Sequence, residues 1–129
     1  MYCLDSDAVI AHFKGDNSIK ECLESISADE LFVTPITLCE LYRGVFLSHN
    51  MEKDTLLVER LLERVNLLNF DLPACEIFGK AYKLLKQSGK LTQDSDLMIA
   101  SICISNNVTL ITRNRRHFEN IKGLKVEEW

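Results

Sequence analysis

Several acidic side chains stand at positions from which carboxylates could bind a metal ion. Asp5 follows a short apolar run at the start of the chain, and Glu40 lies in an otherwise apolar helical segment. Asp94 and Asp96 open another apolar helix. Carboxylates without Cys or His partners favour hard cations such as Mg²⁺ or Mn²⁺. Such an ion activates a water and neutralises a phosphate, so the set predicts hydrolysis of a phosphate ester.

Glu40 is the most informative of these acids because of its surroundings. Its helix has one continuous apolar face, and Glu40 interrupts a second one that contains Ile36 and Leu47. A carboxylate on a buried side costs free energy unless it is paired or binds a metal. Gly44, one turn later, leaves room beside it. The alternative is an ion pair with Arg43 at the i+3 position.

Helix capping is the alternative explanation for the other acids. Asp7, taken alone, is better explained as an N-cap residue, whereas Asp5 at the end of an apolar strand favours function. Thr92 is a candidate N-cap that would place Asp94 and Asp96 in the first helical turn. The helix dipole stabilises acids there by only some 0.3–1 kcal/mol. Only in combination with the other acids do these two indicate a site.

A basic segment follows the strand that the sequence predicts most strongly. Thr112 and Asn114 come at its end and could hold a metal-bound water or a scissile phosphate. Arg113, Arg115 and Arg116 offer fork-shaped phosphate contacts, although simple solvent exposure explains the last two about as well. A net acidic chain with a basic cluster beside an acidic site is typical of a metal-dependent nuclease.

Length and composition limit the possible classes of protein. The chain has 129 residues, 47% of them hydrophobic, and a net charge of −4, which predicts one globular domain over residues 1–129 and excludes a globally basic nucleic-acid binder. No stretch is apolar and long enough to span a membrane, and no basic leader precedes the first strand, so we expect a cytoplasmic protein. Five cysteines without CxxC spacing, and histidines without HExxH spacing, predict buried reduced thiols rather than disulfides or zinc.

Alternating strands and helices must position these side chains. Strands are predicted at residues 2–5, 31–33, 67–70, 108–112 and 124–127. Helices are predicted at residues 7–14, 17–27, 34–48, 51–66, 71–88, 93–106 and 113–119. The long crossovers indicate an α/β fold, a mainly parallel sheet covered by helices on both faces. Ligands of such sheets bind beyond the carboxyl ends of the strands, where the acids stand.

Four segments, taken in order, resemble those of PIN-domain ribonucleases, and most closely the VapC-type toxins of type II toxin–antitoxin systems. They are residues 4–10, 34–44, 96–101 and 110–129. The resemblance covers nearly the whole chain. It implies a PIN-like three-layer α/β/α sandwich with a five-stranded sheet, Mg²⁺- or Mn²⁺-dependent cleavage of RNA, a homodimer and a cognate antitoxin.

The resemblance also assigns residues. The three core acids of the family match Asp5, Glu40 and Asp96, while Ser6 matches a small hydroxyl residue. The family often has Asn where this chain has Asp7. The full prediction is catalysis by Asp5, Glu40 and Asp96; metal binding by these and Asp94; substrate or water positioning by Ser6, Thr112 and Asn114; and phosphate contacts by Arg43, Arg113, Arg115 and Arg116. A fourth family acid, frequent near Asn114 or His117, is absent, so the number of metal ions stays open.

Two other functions fit part of the pattern. Residues 5–9 match the DxDx(T/V) motif of haloacid-dehalogenase-like phosphatases, and Thr112 ends a later strand as their second motif requires. Those enzymes place their remaining acids after that Thr, whereas Asp94 and Asp96 precede it. A non-catalytic receiver-like Mg²⁺-binding domain has a similar length. Its phosphoacceptor would be Asp71, which fits better as an N-cap.

A protein partner is the last expectation. We expect its basic C-terminal region to lie at the acidic edge and block cleavage. Apolar side chains on helices 17–27 and 51–66 could form a groove for an amphipathic segment of that partner, although packing on the sheet explains any one of them better. These residues are Ile19, Leu23, Ile26, Leu57 and Leu61.

Overall fold

The centre of the molecule is a five-stranded sheet in which all strands are parallel. The computed structural model describes all residues 1–129. The strands are β1 (Tyr2–Leu4), β2 (Leu31–Val33), β3 (Asn66–Leu67), β4 (Thr109–Ile111) and β5 (Lys125–Glu127), in the spatial order β3-β2-β1-β4-β5. Every neighbouring pair is parallel, which confirms the predicted α/β fold and places β1 in the middle of the sheet.

Helices cover both faces of this sheet and make three layers. They are α1 (Ser6–Phe13), α2 (Asn17–Ser25), α3 (Pro35–Phe46), α4 (Met51–Leu62), α5 (Leu72–Gln87) and α6 (Asp94–Asn106). Successive strand residues point to opposite faces. Cys3 and Leu110 therefore join a core of thirteen buried residues with α5 and α6, while Leu4 and Ile111 join a core of twelve with α1 to α4.

Local sequence signals explain where two site-forming helices begin. Thr34 accepts a hydrogen bond from the Thr37 backbone N–H at 3.1 Å, and Pro35 occupies the first turn of α3. Asp71 accepts one from the Ala74 N–H at 3.1 Å and caps α5. Both caps confirm the prediction. Asp71 is exposed and serves as the N-cap of α5 rather than as a phosphoacceptor. The receiver-like alternative therefore lacks the residue that it requires.

The predicted bounds were wrong around β3. The predicted helix 51–66 ends at Leu62, and the strand occupies Asn66–Leu67 rather than residues 67–70. The Asn66 amide donates to the backbone oxygen of Ala28 at 2.9 Å, which fixes the start of the strand one residue early. Periodicity alone does not reveal such a side-chain anchor. The predicted helix 113–119 is only a 3₁₀ turn over Arg115–His117.

All five cysteines are free thiols, but they are not all buried. Cys3 and Cys103 are buried in the core, whereas Cys39 and Cys75 are exposed, contrary to the prediction. Contact with the Cys103 thiol, together with burial, raises the pKa of the Cys3 thiol well above its ordinary value. None of the helices combines the length and the hydropathy needed to cross a bilayer.

Candidate acidic active site

The site begins where two neighbouring strands end. Asp5 follows β1 and Thr112 follows β4, and the Asp5 backbone N–H donates to the Ile111 oxygen at 2.9 Å. Because the strands are parallel neighbours, both side chains emerge at the same edge of the sheet. The Thr112 hydroxyl contacts Asp5 Oδ2 at 2.9 Å. Asp5 and Thr112, which were both predicted at this edge, therefore lie together there.

Asp5 has two structural partners and an unfavourable electrostatic environment. Its Oδ1 accepts the Ser6 backbone N–H at 2.8 Å, so Asp5 is the N-cap of α1. Only 6% of the residue is exposed. Burial and the nearby negative charge of Asp7 raise the pKa of Asp5 from 3.8 to about 7, despite the opposing hydrogen bonds. A group that resists ionisation in this way favours a neighbouring cation.

Asp7 belongs to the site, which corrects its interpretation as a cap. Its Oδ2 accepts the Arg113 backbone N–H at 3.1 Å and lies 3.1 Å from the Thr112 hydroxyl. That hydroxyl also contacts Asp5, but it carries one proton and can donate to only one carboxylate at a time. The two acids therefore share one donor. Their joint negative charge is not satisfied by the protein alone.

Glu40 reaches the same edge from α3. Its Oε2 accepts the Ser6 hydroxyl at 2.9 Å, and its Oε1 is buried with no hydrogen-bond partner. The alternative ion pair with Arg43 does not form, because Arg43 is exposed and makes no salt bridge. A side chain added at Gly44 would meet nothing within 4 Å, and this residue lines a cleft with Glu40. Leu47 is 78% exposed, so the predicted second apolar face stops before it.

Asp96 is the fourth carboxylate, and it is buried at the start of α6. It is 8% exposed, and its Oδ2 has one close neighbour, the Nδ1 atom of His117 at 2.9 Å. This contact is an ion pair only when the imidazole is protonated, and it is a hydrogen bond when a neutral ring carries its proton on Nδ1. Burial raises the pKa of Asp96, while His117 opposes the shift. Asp94, by contrast, is exposed and makes no hydrogen bond or ion pair.

The predicted cap of α6 was wrong. Gln93 precedes the helix and makes no side-chain cap. The Thr92 hydroxyl instead donates to the backbone oxygen of His117 at 3.0 Å. This bond ties the loop before α6 to the basic segment and sets Asp96 beside His117.

The arginines of the basic segment differ in their contacts. The Arg113 guanidinium forms an ion pair with Asp16 at 2.9 Å and donates to the Trp129 oxygen at 3.0 Å, so it holds α2 and the chain end together. Arg115 and Arg116 are exposed and make no ion pair. They, and not Arg113, have guanidinium groups free for phosphate.

Asn114 contributes backbone and side-chain contacts of different kinds. Its N–H donates to the Thr112 hydroxyl oxygen at 3.1 Å, which orients that hydroxyl toward the acids. Its side-chain amide contacts the His117 ring at 3.0 Å. The sequence did not assign His117 to the site, and it favoured helix capping for Asp7. Asp7 stands where the family often has Asn, and that departure was the one signal for either residue.

The chemistry of these residues suits a divalent cation, although their side chains do not form a complete coordination site. No group of three or more His, Cys, Asp and Glu side chains is arranged to hold a metal ion as it stands. Glu40 nevertheless has a buried carboxylate oxygen without a hydrogen-bond partner, the buried Asp96 Oδ2 has only His117 beside it, and the pKa of Asp5 is strongly raised. Oxygen donors with excess negative charge suit Mg²⁺ or Mn²⁺.

Comparison with known proteins gives a consistent result. The sequence matches the PIN domain family over residues 2–124. It is 35% identical over 133 aligned positions to ribonuclease VapC1 of Haemophilus influenzae strain R2866, covering 100% of this chain and 98% of the relative. The structure superposes on VapBC2 from Rickettsia felis bound to a promoter DNA fragment with a TM-score of 0.93 and 29% identity, covering 99% and 98% of the chains. VapBC-1 from nontypeable Haemophilus influenzae gives a TM-score of 0.90 and 34% identity, with 99% and 97% coverage.

Proposed function

The chain belongs to the VapC family of PIN-domain ribonucleases, and from this premise we propose that it cuts RNA internally with Mg²⁺ or Mn²⁺ held by Asp5, Glu40 and Asp96. The observation that supports this metal site best is the set of acids at the carboxyl edge of the sheet, of which Asp5 and Asp96 are buried. Asp5 and Asp7 share the Thr112 hydroxyl, and Glu40 Oε1 is buried without a hydrogen-bond partner. Such a cluster is costly without a cation.

The protein side chains have distinct roles in this proposal. A bound divalent ion supplies Lewis-acid activation of water and neutralises charge on the phosphate. Asp5, Glu40 and Asp96 hold it, and the Ser6 hydroxyl fixes the orientation of Glu40 through its 2.9 Å hydrogen bond. The Thr112 hydroxyl fixes Asp5 in the same way. The exposed Asp94 is then an outer residue that adds negative charge.

The arginines act on the substrate rather than on the metal. Arg115 and Arg116 follow directly after the site and are exposed, so their guanidinium forks can bind phosphates on either side of the scissile bond. Arg43 is exposed on α3, three residues after Glu40, and can also bind a phosphate. Arg113 contributes through its backbone N–H, which holds Asp7.

Metal dependence is tested with the purified protein and total cellular RNA. We expect new RNA ends in the presence of Mg²⁺, loss of at least about 90% of cleavage in EDTA, and recovery when Mn²⁺ is added in excess. The new ends are mapped by sequencing. The Asp5→Asn variant, prepared in parallel, controls for contaminating ribonucleases. Equal cleavage with and without EDTA would contradict the metal site.

We propose an antitoxin as the protein partner, with a basic C-terminal region at the acidic edge. The structure offers a second contact beside the site. A cleft of about 500 Å³ lies between α1, α3 and α4, and it is lined by Glu40 and by apolar residues such as Ile10 and Phe13. A segment with an apolar face and a terminal Arg would fit the cleft and the acids together. Of the residues predicted to form a groove on α2 and α4, Ile19, Leu23 and Leu61 are buried in the core, whereas Leu57 lines this cleft.

Co-expression with the neighbouring open reading frame tests the partner. We expect the two proteins to co-purify and the complex to cleave RNA at least about tenfold more slowly than the free chain, because a basic segment competes with the cation for the acids. Truncation of the basic C-terminal region of the partner should restore cleavage. If no complex forms and expression of the intact chain leaves growth unchanged, the toxin assignment is wrong, while a nuclease activity in vitro would still stand.

We further propose that the protein is a homodimer that acts in the cytoplasm, where its RNA substrate is found. Support for the dimer comes from large apolar side chains left in solvent. Phe46 is 70% exposed, Leu47 78% and Leu72 81%, and a subunit interface would bury such surface.

A further inference from the structure

A second cleft, separate from the acidic cluster, lies between α5 and the segment that follows the 3₁₀ turn. It has a volume of about 730 Å³. Its floor is apolar and consists of Ile77, Ala81, Leu84, Leu85, Ile104 and Ile121. Three lysines surround this floor, Lys80, Lys90 and Lys122, against one acid, Glu119. The cleft therefore combines an apolar base with a cationic rim.

The charges around this cleft differ from those of the rest of the molecule. Residues 79–125 contain nine Lys and Arg against three Asp and Glu, whereas residues 1–78 contain six against fourteen. The ammonium of Lys80 pairs with Glu76 at 3.0 Å. Lys90 and Lys122 have no carboxylate partner. Unpaired cations on a concave surface attract a polyanion.

Two segments that line the cleft are connected to residues beside the acidic site. The cleft shares Glu119 and Ile121 with a neighbouring hollow that Arg115 lines. Lys90, which also lines the cleft, stands four residues before Asp94, so their Cα atoms are at most about 14 Å apart. The loop between them is tied to the site, because Thr92 bonds to the backbone of His117, the residue that contacts Asp96.

We propose that this cleft, defined by Lys80, Lys90 and Lys122, binds the backbone of the RNA substrate as a single strand and leads it to the acids. The inference rests on the proposed ribonuclease function and extends it to a substrate-binding surface. The lysines contact phosphates, and the apolar floor accepts a base. RNA matches the rim charge along its whole length.

The experiment measures RNA affinity without cleavage. A fluorescent single-stranded RNA is titrated with the Asp96→Asn protein at several salt concentrations, and the same is done with Lys90→Ala and Lys122→Ala added. For single strands, each phosphate contact contributes about 0.7 to the slope of log K against log salt, so the slope should fall by about 1.4 and the affinity by about tenfold or more at low salt. Lys20→Ala with Arg60→Ala removes the same charge from α2 and α4 and is the control. All four residues are exposed, and a thermal melt checks that each protein is folded.

The possible outcomes distinguish a failure of the proposed RNA-binding surface from a failure of the proposed ribonuclease function. A reduced slope in the cleft variant and an unchanged one in the control support the proposal. Equal reductions in both variants show a diffuse charge effect and overturn it, as does no reduction in either. If the cleft variant binds RNA normally but loses its protein partner, the surface belongs to that partner and the RNA proposal is wrong. If the unsubstituted protein does not cleave RNA with Mg²⁺, the proposed function itself fails.

Discussion

Replacement of Asp96 by Asn is expected to reduce single-turnover RNA cleavage at least about a thousandfold, and Asp94→Asn at most about tenfold. The two acids are two residues apart, but their environments differ. Asp96 is 8% exposed, and the one close neighbour of its Oδ2 is the Nδ1 atom of His117 at 2.9 Å. Asn at this position has an amide nitrogen in place of one carboxylate oxygen. It also lacks the negative charge that would neutralise a bound cation. Asp94 is exposed and bonds to nothing in the protein.

Metal binding provides an independent measurement for the same pair of variants. Thermal melts with and without Mn²⁺ should show metal stabilisation of the Asp94→Asn protein close to that of the unsubstituted protein, and little or none for Asp96→Asn. The substitutions are isosteric, so both proteins should fold. The opposite ranking, with Asp94→Asn inactive and Asp96→Asn active, would show that Asp94 rather than Asp96 holds the metal and would refute the assignment.

Asp5→Asn should abolish cleavage and yet stabilise the metal-free protein at pH 8. The pKa of Asp5 is raised in the folded chain from 3.8 to about 7, so the folded state binds the proton more tightly than the unfolded one. Unfolding between these values releases protons, and the free energy of unfolding falls as the pH rises from about 4 to about 7. At pH 8 this effect lowers the free energy of unfolding by about 4 kcal/mol at most. The Asn variant has no ionisable group at this position, so its stability is not lowered in this way. We expect the Tm in EDTA to rise by about 5 °C or more.

The pH provides the internal control for this prediction. Near pH 4 the Asp5 carboxyl is protonated in the folded chain, so the difference in Tm between the two proteins should largely disappear. Asp94→Asn, which removes an exposed charge, should leave the Tm in EDTA almost unchanged at both pH values. A lower Tm of Asp5→Asn at pH 8 would mean that its hydrogen bonds to Ser6 and Thr112 outweigh the cost of its charge.

The order of the elements could be predicted from the sequence because it depends on local and repeating signals. Apolar runs, the Thr34 and Asp71 caps and the alternation of strands with helices indicate a parallel sheet. Strand direction then determines that Asp5 and Thr112 share one edge, without any knowledge of side-chain contacts. The assignment of Asp5, Glu40 and Asp96 to metal binding stays a prediction.

The details that it missed depend on contacts between distant residues. Asp7 has the spacing of an ordinary helix acid, and only the packing of β1 against β4 brings Arg113 and Thr112 to it. His117 meets Asp96 because Thr92 binds the turn rather than capping α6. The early start of β3 depends on the amide of Asn66. None of these partners is near its counterpart in sequence.

The hydrogen bond between Thr112 and Asp5 joins residues that are 107 positions apart. A ribosome adds roughly 5 to 20 residues per second, so Thr112 is synthesised roughly 5 to 20 seconds after Asp5. Until β4 docks against β1, the first strand has no neighbour on that side, and the acids cannot converge. The side chains of Asp5 and Thr112 can therefore meet only after β4 has been synthesised and has docked against β1, so the edge that carries these acids is assembled late relative to the first strand.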